Sequence, residues 1–110
     1  MSWLQLSKQN HLNLSRGSLI RFKASYPFED EVIMMICEAP DCHSNLGLMT
    51  ITGYKAGINC YVIFPESARD DDATISSQWL LQNWRKWVWP DGNPDDVWVL
   101  PDGLNADAIK

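Results

Sequence analysis

Residues 75–100 read ISSQWLLQNWRKWVWPDGNPDDVWVL, and this stretch contains five of the six tryptophans of the 110-residue chain. At roughly 100° per residue, a helix through its first half has one polar and one broad apolar face. The apolar face carries Trp79, Leu80, Trp84, Trp87 and Val88. Ser76 or Ser77 can cap the helix, since a hydroxyl accepts from a free N–H of the first turn. Pro90 should end it, because proline disfavours helical geometry at the preceding residue.

The flanking segments have the pattern of β-strands. Residues 19–24 alternate apolar with charged side chains, which is typical of a strand with one face in water. Residues 32–37, VIMMIC, are apolar on both faces; we favour a central strand covered on both sides over a strand that presents one face to a partner. Residues 46–52 and 58–64 form a predicted hairpin through GYKAG, and residues 97–99 form a last short strand.

These elements predict a single α+β domain over residues 1–100. Its antiparallel sheet has four to five strands, and one tryptophan-rich C-terminal helix packs on that sheet. Residues 1–16 show too little periodicity for assignment, and residues 66–72 read as an acidic loop. The polar segment 101–110 lacks periodicity and is expected to fray.

The net charge of −5 and pI near 4.7 argue against nucleic acid or an anionic membrane as partner, because both attract basic proteins. A basic protein partner fits this charge. Neither a signal peptide nor an apolar run of spanning length occurs in the sequence, so we expect a cytoplasmic protein. Three cysteines without C-x-x-C spacing fit free thiols in that compartment.

Catalytic chemistry finds little support among the residues. His11 and His43 lie in loop-like segments, and neighbours such as Cys42 and His43 seldom chelate one metal ion. Cys60 lies on an apolar strand face, where burial makes a thiol inert. The clustered carboxylates read as solvated loop acids. We therefore expect no catalytic residue, no metal and no cofactor.

Most of the tryptophans are expected in the core. The pattern does not decide whether Trp89 and Trp98 are buried, and one of them could be an exposed interface anchor. Asn83 lies within the apolar arc, where its amide is expected to be buried and to satisfy a turn or strand backbone; the alternative is a contact with a partner.

Several stretches in order along the chain resemble the immunity protein 45 family of bacterial polymorphic toxin systems. They are WL at Trp3, GSLIRF from Gly17, YPFEDEV from Tyr26, GLMTITGYKAGIN from Gly47, and WLLQNWRKWVWPD from Trp79 with DVWV after it. The resemblance implies a cytosolic antidote that binds and neutralises a cognate toxin and has no enzyme activity. It supplies no toxin-contact residue, so none is carried over.

The preferred hypothesis is an acidic immunity protein that blocks a toxin domain, for which a basic nuclease would be a fitting partner. The first contact candidates are the carboxylates of one loop, followed by a second acidic loop and three possible anchors: Glu66, Asp70, Asp71 and Asp72; Glu29, Asp30 and Glu31; and Tyr54, Lys55 and Trp98. Dimerisation through residues 32–37 stays open.

Two other function classes remain. A regulatory domain that binds a small ligand or peptide would need an aromatic cleft lined by Trp89, Trp98 or Tyr61 and open to solvent. A cysteine-dependent enzyme would need a thiol of depressed pKa, and it is the least favoured of the three.

Overall fold

The computed structural model describes residues 3–9, 12–26, 28–38, 46–57, 61–71 and 74–103. These residues form nine strands, one α-helix and three short 3-10 turns. The strands are β1 Leu4–Gln5, β2 Asn13–Ser15, β3 Leu19–Lys23, β4 Glu31–Glu38, β5 Leu46–Thr50, β6 Val62–Ile63, β7 Arg69–Asp71, β8 Thr74–Ser76 and β9 Trp98–Leu100. Helix α1 spans Ser77–Trp87, and the 3-10 turns span Leu6–Lys8, Glu66–Ala68 and Pro94–Asp96.

The main sheet has six strands in the order β1-β9-β3-β4-β5-β6, and every pair is antiparallel. The α+β class with one helix is therefore confirmed, but the expected count of four to five strands is wrong. The additional strand, β1, pairs Leu4 with Val99 across almost the whole chain. A two-residue strand is too short to show an alternating pattern, so local sequence could not reveal it.

A second sheet of three strands, in the order β2-β8-β7, was not predicted. Its strand β2 comes from the unassigned N-terminal segment, and β7 lies within the segment expected to be an acidic loop. Leu14 of β2 pairs with Ile75 of β8, and both side chains are fully buried. Only a single central residue of β2 is buried, which is too little for a period-2 signal.

Helix α1 begins and ends close to the predicted positions. The Ser76 hydroxyl accepts from the Trp79 N–H at 3.3 Å, so Ser76 is the N-cap, and the helix ends at Trp87, three residues before the proline. The Ser77 hydroxyl accepts instead from the Leu12 N–H at 3.1 Å. The Asn83 amide donates to the Trp79 carbonyl at 2.9 Å, which is a bond within the helix rather than the expected one to a turn or strand.

Trp84 is the largest fully buried side chain of the core. It meets Phe22 of β3 edge to face, with ring centroids 5.0 Å apart. Leu80 and Val88 are buried on the same side of the helix. Replacing such a ring with alanine removes about 3–5 kcal/mol of stability in well-packed cores. The tryptophan helix is thus packed against the inner face of the main sheet.

The two faces of the main sheet differ in burial. On β4, Val32, Met34 and Ile36 are fully buried on the inner face, whereas Ile33 and Met35 on the outer face are only half-buried. Cys37, on the same outer face, is buried, so the expected cover on both sides is present at that end of β4 and only partial at Ile33 and Met35. Within the described residues, no helix is long and apolar enough to cross a membrane.

The hairpin and the chain end also differ from expectation. The strand expected over residues 58–64 is only Val62–Ile63, and residues 58–60 lie outside the described part. Residues 101–103 form a turn in which the Gly103 N–H donates to the Leu100 carbonyl at 3.0 Å, and the rest of the expected frayed tail is likewise not described.

Candidate partner-binding surface

Several of the predicted contact residues lie at two opposite ends of the main sheet. Glu29 and Asp30 precede β4, and Tyr54 follows β5 at the same end. Glu66 follows β6 at the other end, just beyond Phe64, whose N–H donates to Leu46 at the start of β5. The eight residues of β4 run between these ends, and a strand of that length spans roughly 25 Å. The structure therefore does not join the predicted residues into one patch.

The first of these ends, which we call the tyrosine end, consists of Tyr26, Glu29, Asp30, Glu31 at the start of β4, Tyr54 and Lys55. Tyr26 is 91% exposed and Tyr54 is 68% exposed, although both are large and partly apolar. The Tyr54 N–H donates to Oε1 of Glu29 at 3.0 Å, which ties the β5–β6 connection to the β3–β4 connection. Two chain segments thus present two tyrosines beside an acidic pair.

Gly53 determines how closely these connections approach. Its φ is +76°, in the region that disfavours residues with a side chain. A Cβ at this position would overlap the Glu29 carboxylate. Oε2 of that carboxylate is buried and makes no hydrogen bond. The positive φ therefore favours glycine here, and a Cβ would in addition require the Glu29 carboxylate, the far end of a flexible side chain, to move aside.

Lys55 contributes to the same end as a packing residue. Its Nζ lies 5.9 Å from the Phe28 ring and 5.9 Å from the Tyr54 ring. Both distances fall in the cation–π range. Lys55 is half-buried, so its ammonium helps to hold the exposed Tyr54 ring instead of extending freely into solvent.

The second end, called the acidic end, contains Glu66 and β7. Glu66 lies 3.5 Å from Arg69, and their side chains are 89% and 12% exposed respectively. Because the Glu66 carboxylate is largely in water, the pair is expected to contribute little to stability. Asp70 and Asp71 belong to β7, whose backbone pairs with β8, and Asp72 is not among the described residues. The expected acidic loop is partly a strand, because its backbone completes the second sheet.

Trp98 is half-buried on the outer face of the main sheet, beside Arg21. The Arg21 guanidinium lies 4.6 Å from the Trp3 ring and 6.0 Å from the Trp98 ring. Sequence reasoning missed Arg21, Trp3 and Tyr26 as candidate contacts. The alternation in β3 had placed Arg21 on the solvent face, but no local signal showed that β9 would bring Trp98 next to it.

The aromatic cleft of the alternative hypothesis is not formed by the described residues. Tyr61 and Trp89 both pack edge to face on Phe28, at centroid distances of 5.6 and 5.7 Å. The Tyr61 hydroxyl donates to the Val88 carbonyl at 2.7 Å, and burial raises its pKa above the ordinary value of 10.0. Trp98 lies on the opposite face of the sheet, so the three rings do not share a pocket.

A groove of about 610 Å³ lies between α1 and two 3-10 turns. It is lined by Ser7, Leu81, Gln82, Arg85, Lys86, Asn93, Pro94 and Asp95. The Arg85 Nε already donates to the Gly92 carbonyl at 2.9 Å. Basic residues in the last helical turn are favourable near the negative end of the helix dipole. The basic side chains that line the groove are therefore explained by their place at the C-terminal end of α1.

The residues considered for metal or thiol chemistry are mostly outside the described ranges, including His11, His43, Cys42 and Cys60. Cys37 is buried in β4. Among the residues that the structure describes, no group of three or more histidine, cysteine or acidic side chains could hold a metal ion.

A family model for immunity protein 45 matches residues 6–99, which is most of the chain. The chain belongs to the immunity protein 45 family. The resemblance drawn from the sequence motifs is thereby confirmed. The matched range includes the tyrosine end, the acidic end and helix α1, and Trp3 precedes it. Comparisons with curated proteins and with solved structures find no match.

Proposed function

We propose that this protein is a cytoplasmic, non-enzymatic immunity protein that neutralises a cognate bacterial toxin by stoichiometric binding. Membership of the immunity protein 45 family over residues 6–99 is the observation that carries the proposal. The tyrosine end supports it, since it offers the kind of rigid, exposed aromatic surface on which protein interfaces depend.

The tyrosine end is the contact surface that we place first. Tyrosines give large contact areas at low entropic cost and are enriched among residues that dominate binding energy. Tyr54 is anchored through its backbone to Glu29, and Lys55 packs against its ring. A partner would therefore meet a surface that is largely preformed. Preformed surfaces lose less conformational entropy on binding.

The charge of the chain favours a basic toxin, such as a nuclease domain with a positive substrate-binding face. Asp30 and Glu31 are exposed next to the two tyrosines. Complementary charge at the edge of an interface accelerates association, and salt weakens this effect. The net charge of −5 extends the same attraction over the whole molecule.

The acidic end is the second contact surface, with Glu66, Asp70, Asp71 and Asp72. The Glu66 side chain is exposed there and has no exposed aromatic neighbour among the described residues. The ion pair between Glu66 and Arg69 also offsets part of its negative charge. We therefore expect this end to affect association rate more than the stability of the complex.

The function is tested by growth protection. The toxin domain encoded beside this chain is expressed in bacteria with and without it, and colony survival is counted. We expect toxin-expressing cells to survive only when this chain is expressed with the toxin. Immunoblots should show equal toxin levels in the two cultures. Loss of survival despite equal amounts of folded protein would contradict the proposed function.

The contact surface is mapped with charge reversals at each end. Asp30→Lys with Glu31→Lys alters the tyrosine end, and Glu66→Lys alters the acidic end. We expect the double variant to slow association roughly tenfold at low salt and to flatten its salt dependence. Tyr54→Ala should mainly accelerate dissociation. If only Glu66→Lys changes the kinetics, the acidic end is the principal contact.

A further inference from the structure

Arg21 occupies an unusual position for a charged residue. It lies on the outer face of β3, which is flanked in the main sheet by β9 and β4. Its paired neighbours across the sheet are Trp98 and Ile33. Trp3 and Trp98 lie beside its guanidinium, at 4.6 and 6.0 Å from the ring centroids. A cation is thus held within a largely apolar surface.

Among the residues that the structure describes, the Arg21 guanidinium has no acidic partner. Within the described part of the chain, the ion pairs are those of Arg16 with Glu38 and of Arg69 with Glu66. The Nε atom of Arg21 is buried and has no hydrogen-bond acceptor. Buried donors are almost always satisfied in native proteins. The two tryptophans fix the guanidinium in place but cannot accept strong hydrogen bonds from it.

We propose that Arg21, framed by Trp3 and Trp98, is a docking site for a carboxylate side chain of a partner protein. A guanidinium presents paired donors whose geometry matches a carboxylate. The tryptophan rings exclude water around that pair, and half-buried Ile33 and Met35 extend the apolar surround. Arginine and tryptophan are also the residues most enriched in the energetic centres of interfaces.

A second copy of this chain fits the site less well than a different protein does. Carboxylates on the neighbouring strand already have cations nearby: Glu31 is opposite Lys23 in the register, and Glu38 accepts from Arg16. In a two-fold dimer, each copy would also bring its own Arg21 to the interface. The site therefore favours a hetero-partner that supplies an acidic residue flanked by apolar ones.

The site lies near the tyrosine end. Arg21 and Lys23 are two residues apart on the same face of β3, which is about 7 Å, and Lys23 pairs with Glu31 at that end. The identity of the partner as the toxin rests on the proposed function. The cations of a basic toxin would then contact the carboxylates of the tyrosine end, and one toxin carboxylate would contact Arg21. These two contacts together would fix the orientation of the toxin.

The carboxylate preference can be measured without the toxin. The full ¹⁵N-labelled chain is titrated with acetyl-Leu-Glu-Leu-amide, and with acetyl-Leu-Gln-Leu-amide as matched control, at constant ionic strength. We expect the glutamate peptide to shift the Arg21 Nε–H and Trp98 indole N–H signals saturably. The glutamine peptide should shift them far less. Equal shifts with both peptides, or none with either, would overturn the proposal.

The same site is then tested with the toxin domain used in the protection assay. Arg21→Gln should weaken binding roughly 30-fold or more. Arg21→Lys should lose part of the affinity, because lysine keeps the positive charge but lacks the paired N–H donors of a guanidinium. Lys23→Gln, on the same face of the same strand, is the control and should change affinity less than threefold. Thermal unfolding confirms that each variant is folded.

The outcomes separate the two proposals. If the unaltered chain protects against the toxin but Arg21→Gln binds as tightly, the docking site is wrong and the proposed function stands. If the chain does not protect while the glutamate peptide still selects Arg21, the proposed function fails and the site stands. Sedimentation of the unaltered chain should show a monomer; a dimer that Arg21→Gln dissociates would assign the surface to a second copy and contradict the proposal.

Discussion

At the residue scale, several polar side chains in or beside the core are held by hydrogen bonds to the backbone. The Tyr61 hydroxyl donates to the Val88 carbonyl just past the end of α1, and its ring packs on Phe28. The Asn83 amide donates to the Trp79 carbonyl one helical turn earlier, whereas the Ser77 hydroxyl accepts from the N–H of Leu12, which is far away in the chain. The sequence predicted that the Asn83 amide would have a hydrogen-bond partner. It could not predict which one, because several backbone carbonyls lie within reach of one side chain.

Tyr61→Phe should lower the free energy of unfolding by about 1 kcal/mol at neutral pH, because the Val88 carbonyl loses its donor. Burial raises the pKa of Tyr61 in the folded state above 10.0. Its favourable contribution is therefore complete below pH 10 and is lost as pH rises through the folded-state pKa. Urea unfolding across this range should show the unaltered chain losing stability faster than the variant, and parallel curves would contradict this assignment.

Gly53→Ala tests the close approach of the two connections at the tyrosine end. The positive φ and the overlap with the Glu29 carboxylate should together lower stability by about 1–3 kcal/mol. Gly57→Ala is a useful control, because φ is also positive there but its Cβ would meet no atom within 4 Å. Urea unfolding should show the larger loss for Gly53→Ala. Equal losses would mean that the Glu29 contact contributes nothing beyond backbone strain.

At the element scale, predictability follows the length of each segment. Helix α1 and strands β3, β4 and β5 have enough residues to show their periods, and the sequence located them within a few positions. Strands β1, β2 and β7 have two or three residues, and they form through pairing with distant parts of the chain. Local patterns carry no information on such pairings.

Ser76→Ala should destabilise the protein by about 1 kcal/mol, because the Trp79 N–H in the first turn of α1 loses its acceptor. Gln78→Ala, at an exposed position of the same turn, should leave stability nearly unchanged. Chemical denaturation of both variants measures the difference. A loss at Gln78→Ala equal to that at Ser76→Ala would show that the cap contributes nothing specific.

At the scale of the whole molecule, topology decides which residues share a surface. Strand β9 enters the sheet between β1 and β3, and this placement brings Trp98 beside Arg21. The acidic segments that look equivalent in sequence are separated by the length of β4. The sequence therefore supplied the types of contact residue, while their grouping into a tyrosine end and an acidic end depended on the fold.

The central claim is that this chain neutralises a toxin by stoichiometric binding. The most direct measurement is the activity of the toxin domain encoded beside it, titrated with the purified chain at toxin concentrations well above the dissociation constant. We expect activity to fall linearly and to reach its minimum at a fixed ratio of chain to toxin, with a complex recovered by gel filtration. Full toxin activity in the presence of excess folded chain, or inactivation at far below one equivalent, would contradict the account.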